Sequence, residues 1–317
     1  MNLHLKPLLR SAVFLTLLAA LLLGTSRIFA PKDNKSEFGM NMVFANGILG
    51  ERENSIDVLI VGDSESYSSF SPMHMWNAHG FTSYVCGTAA QPLYDSYRFI
   101  GQAFQRQSPS VVVLETNAIF RAKNAGSYLS SMMKSSFSLF EYHNRWKSLK
   151  LTDLSSPVEY TWTDDCKGYI HSDEVKPANT KGYMAPTDRV EKIPDLNLLC
   201  LQQIMKLCAD NGAELILVST PSPVNWNYAR HNAIQAFAEE HTLTYLDMNL
   251  PHETLNIDWS RDTRDMGDHL NFSGARKVSE FFGTYLKEHF SLPDHRGEKD
   301  YGSWTDAYGR YVKTVRI

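Results

Sequence analysis

Five short apolar runs, separated by stretches with helical spacing of apolar residues, dominate the pattern of this chain. The runs are rich in Val, Ile and Leu, as strands buried inside an α/β sheet are, and they cover residues 56–61, 81–86, 110–115, 214–219 and 243–246. The helical stretches cover 72–79, 92–107, 195–211 and 225–241, and the last one begins near Ser273. Strands that alternate with helices over short connections predict a parallel, doubly wound sheet.

The regular pattern is interrupted once inside the chain and stops before the carboxyl terminus. Residues 118–194 are rich in serine, aromatic residues and turn formers and show little periodicity, so we expect an inserted subdomain or lid there. Residues 291–317 read as a polar tail with scattered aromatic residues, which we expect to pack back on the domain or on a partner. The predicted division is therefore an amino-terminal segment at 1–30, a polar juxtamembrane linker at 31–54, a main domain at 55–290 that contains the insertion, and the tail.

The amino-terminal segment is uncharged and apolar on all sides between Ser11 and Ser26, and it follows two basic residues, Lys6 and Arg10. A cleaved signal peptide needs a site with small residues, but Ala30 is followed by proline, a poor context for cleavage. An uncleaved anchor needs about 20 residues, which the run reaches when it is extended to Ala30. We favour the anchor with its amino end inside. It predicts a single-pass protein of the cell membrane whose bulk lies outside the cytoplasm.

Composition narrows the function classes. The chain has 317 residues, 43% of them hydrophobic, and a net charge of −4, which is typical of a globular protein and argues against a nucleic-acid partner. The cysteines show neither zinc-binding spacing nor a disulfide framework; they are Cys86, Cys166, Cys200 and Cys208. We therefore expect no cofactor and no metal.

Polar residues follow the first three predicted strands, at the edge where open α/β sheets place their ligands. Ser64 follows the first strand within Gly62-Asp63-Ser64, Gly87 follows the second strand, and Asn117 follows the third. A serine exposed at a sharp strand end is a candidate nucleophile. The backbone N–H groups of Ser64 and Gly87 and the side-chain amide of Asn117 would then form an oxyanion hole.

A serine nucleophile needs a general base, and His269 lies just before the last predicted helix. The carboxylate that would orient this imidazole is Asp265 or Asp268. We prefer Asp265, which would reach the ring if the loop holds one extra residue, because adjacent side chains such as Asp268 rarely face each other. Either aspartate can also be a turn former. Glu65 is interpreted as an acidic residue that favours the start of the next helix.

The order of these blocks, Ser in Gly-Asp-Ser, then Gly, Asn and His preceded by Asp, resembles the SGNH (GDSL-type) hydrolase superfamily. The resemblance covers roughly 55–290 apart from the insertion. It implies a three-layer α/β/α sandwich with a parallel sheet of flavodoxin-like strand order. The sequence departs from the pattern at Met266, where the superfamily usually has the aspartate that lies three residues before its histidine.

Within that superfamily the chain looks like DltD-type proteins. The features that carry this resemblance are the Gly-Asp-Ser-Glu-Ser-Tyr start, Lys167-Gly168-Tyr169, His269-Leu-Asn-Phe-Ser-Gly-Ala275 and the amino-terminal anchor. The resemblance implies a membrane-anchored protein of the cell envelope that acts beside a membrane-bound O-acyltransferase in polysaccharide modification.

The predicted function is that of an exported serine acyltransferase or esterase with an acyl-Ser64 intermediate. Its partners would be an acyl donor of the acetyl or D-alanyl class and a cell-envelope glycan acceptor. One alternative is a non-catalytic scaffold for the O-acyltransferase, which the off-register aspartate favours; another is a secreted lipase or esterase. Aromatic residues that would form either a sugar-stacking platform or the core of the insertion are Trp146, Trp162, Tyr169, Tyr183 and Trp226.

Overall fold

The computed structural model of the protein describes residues 5–316, and contacts within the chain divide it into two compact units. The anchor unit combines Met1–Val43 with Asn124–Trp162, and the sheet unit combines Phe44–Lys123 with Thr163–Ile317. This division differs from the predicted one. The segment that separates from the sheet is 124–162 rather than 118–194, and the predicted linker is shared between the two units.

The sheet unit is built on a parallel sheet with the strand order β2-β1-β3-β4-β5. Its strands are β1 (Val58–Gly62), β2 (Ser83–Gly87), β3 (Val111–Glu115), β4 (Glu214–Ser219) and β5 (Thr244–Asp247). The order is the flavodoxin-like one, in which the chain starts in the interior of the sheet and later crosses to the other side. The predicted α/β fold and strand order are therefore confirmed.

The helices follow the spacing of apolar residues closely. They are α1 (Leu5–Phe29), α2 (Val43–Asn46), α3 (Ser64–Ser69), α4 (Pro72–His79), α5 (Leu93–Ala103), α6 (Ala125–Ser136), α7 (Ser138–Glu141), α8 (Asp195–Asp210), α9 (Tyr228–His241), α10 (Phe272–His289) and α11 (Gly302–Val315). Short 3-10 helices lie at Ser36–Phe38, Gly47–Gly50, Asn117–Phe120, His143–Lys147, Leu151–Leu154 and Lys299–Tyr301.

The sheet is covered on both faces because its strands are apolar throughout. Alternate residues of β1 and β3, such as Ile60 and Val113, pack with Phe70, Val278 and Phe282 in one core. Since successive side chains of a strand point to opposite faces, the intervening residues face the other layer, where α5 packs against α8. Because helices cover both faces of the sheet, the loops that follow the strands lie at the carboxyl ends of the strands and line that edge.

The Lys167–Gly168 turn covers the outer edge of the end strand β2. The Val85 amide donates to the Lys167 carbonyl at 2.9 Å. Gly168 has φ +87°, and a Cβ there would overlap the Val85 carbonyl oxygen, so glycine is required. Lys167 is buried, with its ammonium 2.7 Å from the Glu51 carboxylate and 4.7 Å from the ring centroid of Trp304. In this structure the turn protects a strand edge that would otherwise be open to pairing.

The carboxyl-terminal residues of the predicted tail form α11, which packs on α4 of the sheet unit. Trp304 and Tyr311 of α11 are each 1% exposed. The Trp304 ring lies 5.4 Å from that of Trp76, and the Tyr311 hydroxyl lies 2.8 Å from the Ser71 hydroxyl. The aromatic residues of this segment follow one another at intervals of three and four, which is helical spacing.

The anchor unit contains α1, whose stretch Lys6–Phe29 is long and apolar enough to cross a membrane. Its most apolar part has a mean hydropathy of 2.0 and is not buried within the protein. A signal sequence has the same length and composition. The two chain segments of this unit are joined by polar side chains. The Asp33 carboxylate accepts from the Thr161 hydroxyl at 2.6 Å, and the side-chain Oδ1 of Asn34 accepts from the Trp162 backbone N–H at 3.0 Å.

Candidate active site

Ser64 is the first residue of α3 and directly follows the turn at the end of β1. The turn is fixed by Asp63, the N-cap residue, whose Oδ1 accepts from the Glu65 amide at 3.0 Å. Ser64 is 8% exposed. Burial raises the pKa of Tyr67, one turn further along α3, and this rise is offset in part by the Arg264 charge and by a hydrogen-bonding contact with the Ser64 side chain.

Glycines bring the ends of the three neighbouring strands β2, β1 and β3 close together. Gly62 and Gly87 are register partners at the ends of β1 and β2. A Cβ on Gly87 would lie 2.5 Å from Ser66 Oγ and 3.1 Å from the Asp63 carbonyl oxygen. A Cβ on Gly62 would lie 2.5 Å from Glu115 Cβ, at the end of β3. The turn after β1 therefore packs directly on both neighbouring strand ends.

Asn117 lies at this edge with its side-chain amide already bonded on both sides. Its Nδ2 donates to Asp63 Oδ2 at 3.0 Å, and its Oδ1 accepts from Arg230 at 3.1 Å. Asp63 Oδ2 also receives the Arg121 guanidinium at 2.6 Å. An amide nitrogen carries two N–H groups, and Asp63 takes one of them. The carboxylate therefore orients the amide that we predict to face an oxyanion.

His269 is held by Asp265. Its Nδ1 lies 2.6 Å from Asp265 Oδ2, and its backbone N–H donates to Asp265 Oδ1 at 2.6 Å. Asp268 is further away, with Oδ2 3.6 Å from Nδ1. The loop reaches this geometry because Met266 (φ +64°) and Gly267 (φ +96°) are both left-handed and absorb the extra residue between aspartate and histidine.

Asn225 joins the segment that follows the candidate nucleophile to the segment that precedes the candidate base. Its Nδ2 donates to Glu65 Oε1 and to Asp268 Oδ1, both at 2.6 Å. A second link lies between the same two segments, where Arg264 donates to the Ser68 hydroxyl at 2.8 Å. These bonds place the serine and histidine segments, about two hundred residues apart in the chain, at the same edge of the sheet.

The second imidazole nitrogen of His269 is the most informative atom of the site. Nε2 is buried and makes no hydrogen bond within the protein. Because Nδ1 is fixed by Asp265, Nε2 is the nitrogen that can accept a proton when Nδ1 carries the hydrogen. In this conformation Ser64 contacts Tyr67 and forms no hydrogen bond with Nε2.

Two further carboxyl groups are buried beneath the site. Burial, followed by the Asp63 charge and then that of Glu115, raises the pKa of Glu65 well above its ordinary value. Burial and the Asp63 charge likewise raise the pKa of Glu115. Each has one carboxyl oxygen without a hydrogen bond. Because burial disfavours the charged form, both carboxyl groups hold their protons more tightly than they would in the unfolded chain, while Asp63 is paired with Arg121.

Replacing Glu65 with glutamine should remove a pH-dependent loss of stability. A carboxyl whose folded pKa is raised binds its proton more tightly in the folded state, so stability falls as pH rises from the unfolded value of 4.5 toward the folded pKa. The Glu65→Gln protein should therefore gain in melting temperature relative to wild type across that range, while Gln Oε1 still accepts from Asn225. A pKa shift of one corresponds to about 1.4 kcal/mol, which is roughly 3–6 °C of melting temperature for a domain of about 150–250 residues.

The measurement is thermal unfolding of the detergent-solubilised full chain at several pH values from 4.5 upward. Glu240→Gln, on the exposed side of α9, is the matched control and should follow the wild type at every pH. Glu115 is present in all three proteins, and because its charge acts on Glu65 the comparison measures the Glu65 carboxyl together with its coupling to Glu115. A difference between Glu65→Gln and wild type that stays constant with pH would show that Glu65 is not a buried acid.

The histidine loop also offers a possible cation site. One ligand atom each from Asp265, Asp268 and His269 lie within 4.8 Å of one another. All three residues are half-buried, and the imidazole nitrogen on this side is already bonded to Asp265. The same atoms can therefore serve either to orient the imidazole or to hold a cation, and not both at once.

Several residues of the site were not among the candidates from sequence. Asn225, Arg121, Arg230, Arg264 and Tyr67 all contact the predicted residues through side chains. A signal existed for Asn225, since it lies in the loop after β4 and loops at strand carboxyl ends line the same edge. No signal in the sequence pointed to the arginines, because a single charged residue belongs to no motif or periodic pattern from which its contacts could be predicted.

The aromatic residues predicted as either a sugar platform or insertion core do not form one cluster. Trp146 and Trp162 belong to the anchor unit, whereas the other three belong to the sheet unit. Tyr169 and Trp226 are buried, and the Tyr183 ring packs edge-on against Trp259. In the sheet unit Tyr169 and Trp226 are core and Tyr183 is half-buried, whereas Trp146 of the anchor unit is exposed.

Fold and site together define the chain as an α/β protein that carries Ser, His and Asp side chains at the carboxyl edge of a parallel sheet, a layout suited to serine-dependent acyl transfer. Its solved structural neighbours are GDSL-like lipases and acylhydrolases. They include a GDSL-like lipase of Bacteroides thetaiotaomicron, with 10% identity and a TM-score of 0.38 over 74% of this chain and 88% of that chain.

A candidate acylhydrolase of Bacteroides fragilis has 9% identity and a TM-score of 0.39 over 77% of this chain and 94% of that one. A candidate lipolytic protein of the G-D-S-L family from Desulfitobacterium hafniense has 12% identity and a TM-score of 0.38 over 73% of this chain and 99% of that one. No protein-family model and no curated protein matches the sequence.

Proposed function

We propose that the protein is a membrane-anchored serine acyltransferase or esterase, with Ser64 as nucleophile, His269 as general base and Asp265 as the orienting carboxylate. The observation that carries the proposal is the state of the imidazole. Asp265 holds Nδ1 at 2.6 Å, and Nε2 is buried and unbonded at the edge where Ser64 begins its helix. A histidine that only stabilised the loop would not need a desolvated nitrogen without a partner, which costs free energy.

The proposed reaction proceeds through two acyl transfers. Ser64 Oγ attacks the carbonyl carbon of an ester while its proton moves to His269 Nε2, and Asp265 stabilises the imidazolium. The bond between the carbonyl carbon and the alkoxide oxygen then breaks, and the leaving alkoxide takes the proton from Nε2. This step leaves acyl-Ser64. An acceptor hydroxyl or water then attacks the acyl carbon and gives its proton to Nε2. The bond between the acyl carbon and Ser64 Oγ breaks, and Oγ takes the proton back from Nε2. Donors for the oxyanion would be the N–H groups of Ser64 and Gly87 and the Asn117 amide.

The missing Ser64–His269 hydrogen bond is compatible with this chemistry. Catalytic hydrogen bonds are often long or misaligned without substrate and form in the Michaelis complex. A rotation of the Ser64 hydroxyl away from Tyr67 would be part of substrate binding. The same observation supports the second candidate, a non-catalytic scaffold that binds an acyl-carrying partner with this edge.

For the substrate we propose acyl esters of the acetyl or D-alanyl class on cell-envelope glycans, with a membrane-bound O-acyltransferase as partner. This choice rests on the resemblance to DltD-type proteins and on α1 as an uncleaved anchor. Packing within the anchor unit supports retention of α1, because the buried Arg145 donates to the carbonyls of Phe29 and Ala30, each at 2.8 Å. Cleavage after Ala30, as in a secreted lipase, would remove these partners.

A serine-directed fluorophosphonate tests the proposal on the full chain in detergent. We expect rapid labelling that maps to the peptide containing Ser64, because a hydroxyl next to a base attacks phosphorus as it attacks an acyl carbon. The intact mass of the same sample should include Met1–Ala30. Absence of labelling under conditions where a known serine esterase reacts would reject the enzyme and leave the scaffold.

A further inference from the structure

The segments packed around the carboxyl-terminal end of α1 expose a set of large apolar side chains. The set, named here the apolar collar, consists of Leu129, Met132, Met133, Trp146, Leu151 and Leu154. All six belong to the anchor unit. Their exposed fractions range from 39% for Met133 to 87% for Leu151. A soluble surface rarely gathers so many large apolar side chains without a partner.

The collar is arranged on faces rather than scattered. Leu129, Met132 and Met133 are spaced i, i+3 and i+4 on α6 and therefore share one side of the helix. Leu151 and Leu154 lie three residues apart in a 3-10 helix, in which such side chains are eclipsed. Two separate elements of the anchor unit thus each present an apolar face outward.

Contacts with α1 fix where the collar segments lie along the helix axis. Arg145 donates to three carbonyls at the carboxyl end of α1 and to Asp153 at 3.2 Å. The Leu139 amide of α7 donates to the Ser26 hydroxyl at 3.4 Å. Partial burial of α1 begins at Leu22, seven residues before its end at Phe29. At about 1.5 Å per residue, these segments cover roughly the last 10 Å of the apolar helix.

That position coincides with a bilayer boundary. The stretch Lys6–Phe29 has 24 residues, about 36 Å of helix, against a hydrocarbon core of about 30 Å. If Lys6 lies at one face of the core, the core ends roughly 6 Å before Phe29, so the last turns lie at the boundary between acyl chains and headgroups. The 3-10 helices that carry Trp146, Leu151 and Leu154 contact α1 directly, so their exposed side chains lie near this depth, and α6 is held beside them through its packing on α7.

The chemistry of the collar suits that depth. Tryptophan is enriched at membrane interfaces, and lysine extends its ammonium from an apolar surface toward headgroups. Lys134, Lys147 and Lys150 are exposed among the apolar residues, and the Lys147 ammonium lies 5.8 Å from the Trp146 ring centroid. Basic residues among exposed apolar ones favour a surface with anionic lipids.

We propose that the apolar collar lies in the lipid interface at the carboxyl-terminal end of α1. The protein then binds the membrane at two places, through the span formed by α1 and through the interfacial surface of the collar. The collar is covered by the lipid bilayer rather than by a protein, because it adjoins the exposed apolar surface of α1, which lipid covers if α1 spans the membrane. This proposal is independent of the chemistry at Ser64.

The test uses the full chain in vesicles of phosphatidylcholine and phosphatidylglycerol. Leu151→Cys carries an environment-sensitive fluorophore, and Leu199→Cys, at another exposed leucine on α8 of the sheet unit, is the matched control. Both positions are exposed, so neither variant should disturb folding. The unsubstituted protein, whose Cys166 is half-buried and whose other cysteines are buried, gives the labelling background.

We expect the fluorophore at 151 to emit at shorter wavelength and to be quenched severalfold more by a lipid-borne nitroxide than the one at 199. Aqueous iodide should quench the fluorophore at 199 more strongly. Equal quenching at the two positions by either reagent would overturn the proposal. A blue shift at 151 that grows with the ratio of protein to lipid, without nitroxide quenching, would assign the collar to a second copy of the chain and would also overturn it.

Quenching of the protein's own tryptophan fluorescence tests the same placement without an attached fluorophore. Brominated phosphatidylcholine should quench part of the tryptophan fluorescence of the wild type, and Trp146→Phe should remove most of that quenched part. Quenching that is unchanged in Trp146→Phe would contradict the placement of Trp146 in the interface.

Discussion

Ser64→Ala should abolish fluorophosphonate labelling and lower the turnover of an activated ester such as p-nitrophenyl acetate by at least about 10³-fold, since loss of a triad nucleophile removes the covalent pathway. The substitution removes only a hydroxyl from the first residue of α3, and Asp63 still caps the helix through its own side chain. The melting temperature should therefore stay close to that of wild type.

Ser69→Ala is the matched control for this loss. Ser69 lies on the same helix, is fully buried, and its hydroxyl makes no hydrogen bond. Its removal should leave labelling and turnover unchanged. Turnover that survives in Ser64→Ala, or that falls equally in Ser69→Ala, would remove Ser64 from the mechanism.

His269→Ala, combined with Ser64→Ala, tests whether the two side chains act together. If serine and imidazole act as one unit, the double variant with Ser64→Ala should be no slower than either single one, because effects within a triad are strongly non-additive. Losses that multiply would mean that the two side chains act independently. The scaffold reading predicts no turnover in wild type and hence no effect of either change.

Asp265→Asn should lower turnover by about 10²–10⁴-fold, whereas Asp268→Asn should cost less than about tenfold. Asp265 Oδ2 lies 2.6 Å from His269 Nδ1, so an amide N–H presented there would leave the imidazole proton on Nε2, the wrong nitrogen for a base. Asp268 lies 3.6 Å from Nδ1, and its other oxygen accepts from Asn225.

The two asparagine variants are near-isosteric and control for each other. Fluorophosphonate labelling rate, measured alongside turnover, reports activation of Ser64 separately from later steps. A larger loss in Asp268→Asn than in Asp265→Asn would exchange the roles of the two aspartates. Equal, small losses in both would mean that no carboxylate orients the imidazole.

The sheet was predictable because its information is local. β4 was predicted with its observed limits, Glu214–Ser219, since an apolar run there lies between Asn-Gly and a proline-rich turn. The other strands were displaced by no more than two residues. Strand order also followed, although it came from the resemblance of the blocks rather than from spacing.

The links that assemble the site were not predictable from one sequence. Asn225 bonds Glu65 and Asp268, which are 160 and 43 residues away, and no periodicity connects such positions. The preference for Asp265 needed a loop with an extra residue, and the backbone supplies it through two left-handed residues. Met266 carries no sequence signal for a positive φ, a region that side chains other than Gly, Asn and Asp rarely adopt.

The anchor unit was missed for a different reason. The lack of periodicity predicts one insertion over 118–194, whereas only 124–162 separates from the sheet. Its association with α1 depends on one buried arginine, Arg145, and on short helices of four or five residues. Elements that short give no helical pattern. In contrast, α11 had aromatic residues at helical intervals, and that signal was available.

The contact between Arg145 and the end of α1 sets an order of events during synthesis. Arg145 follows Ala30 by 115 residues, which takes on the order of ten seconds to translate. During that interval α1 has already left the ribosome, and its last carbonyls have only water or headgroups as partners. If α1 is the membrane span that we propose, it enters the bilayer before Arg145 is available, and the segment that contacts its last carbonyls is added later.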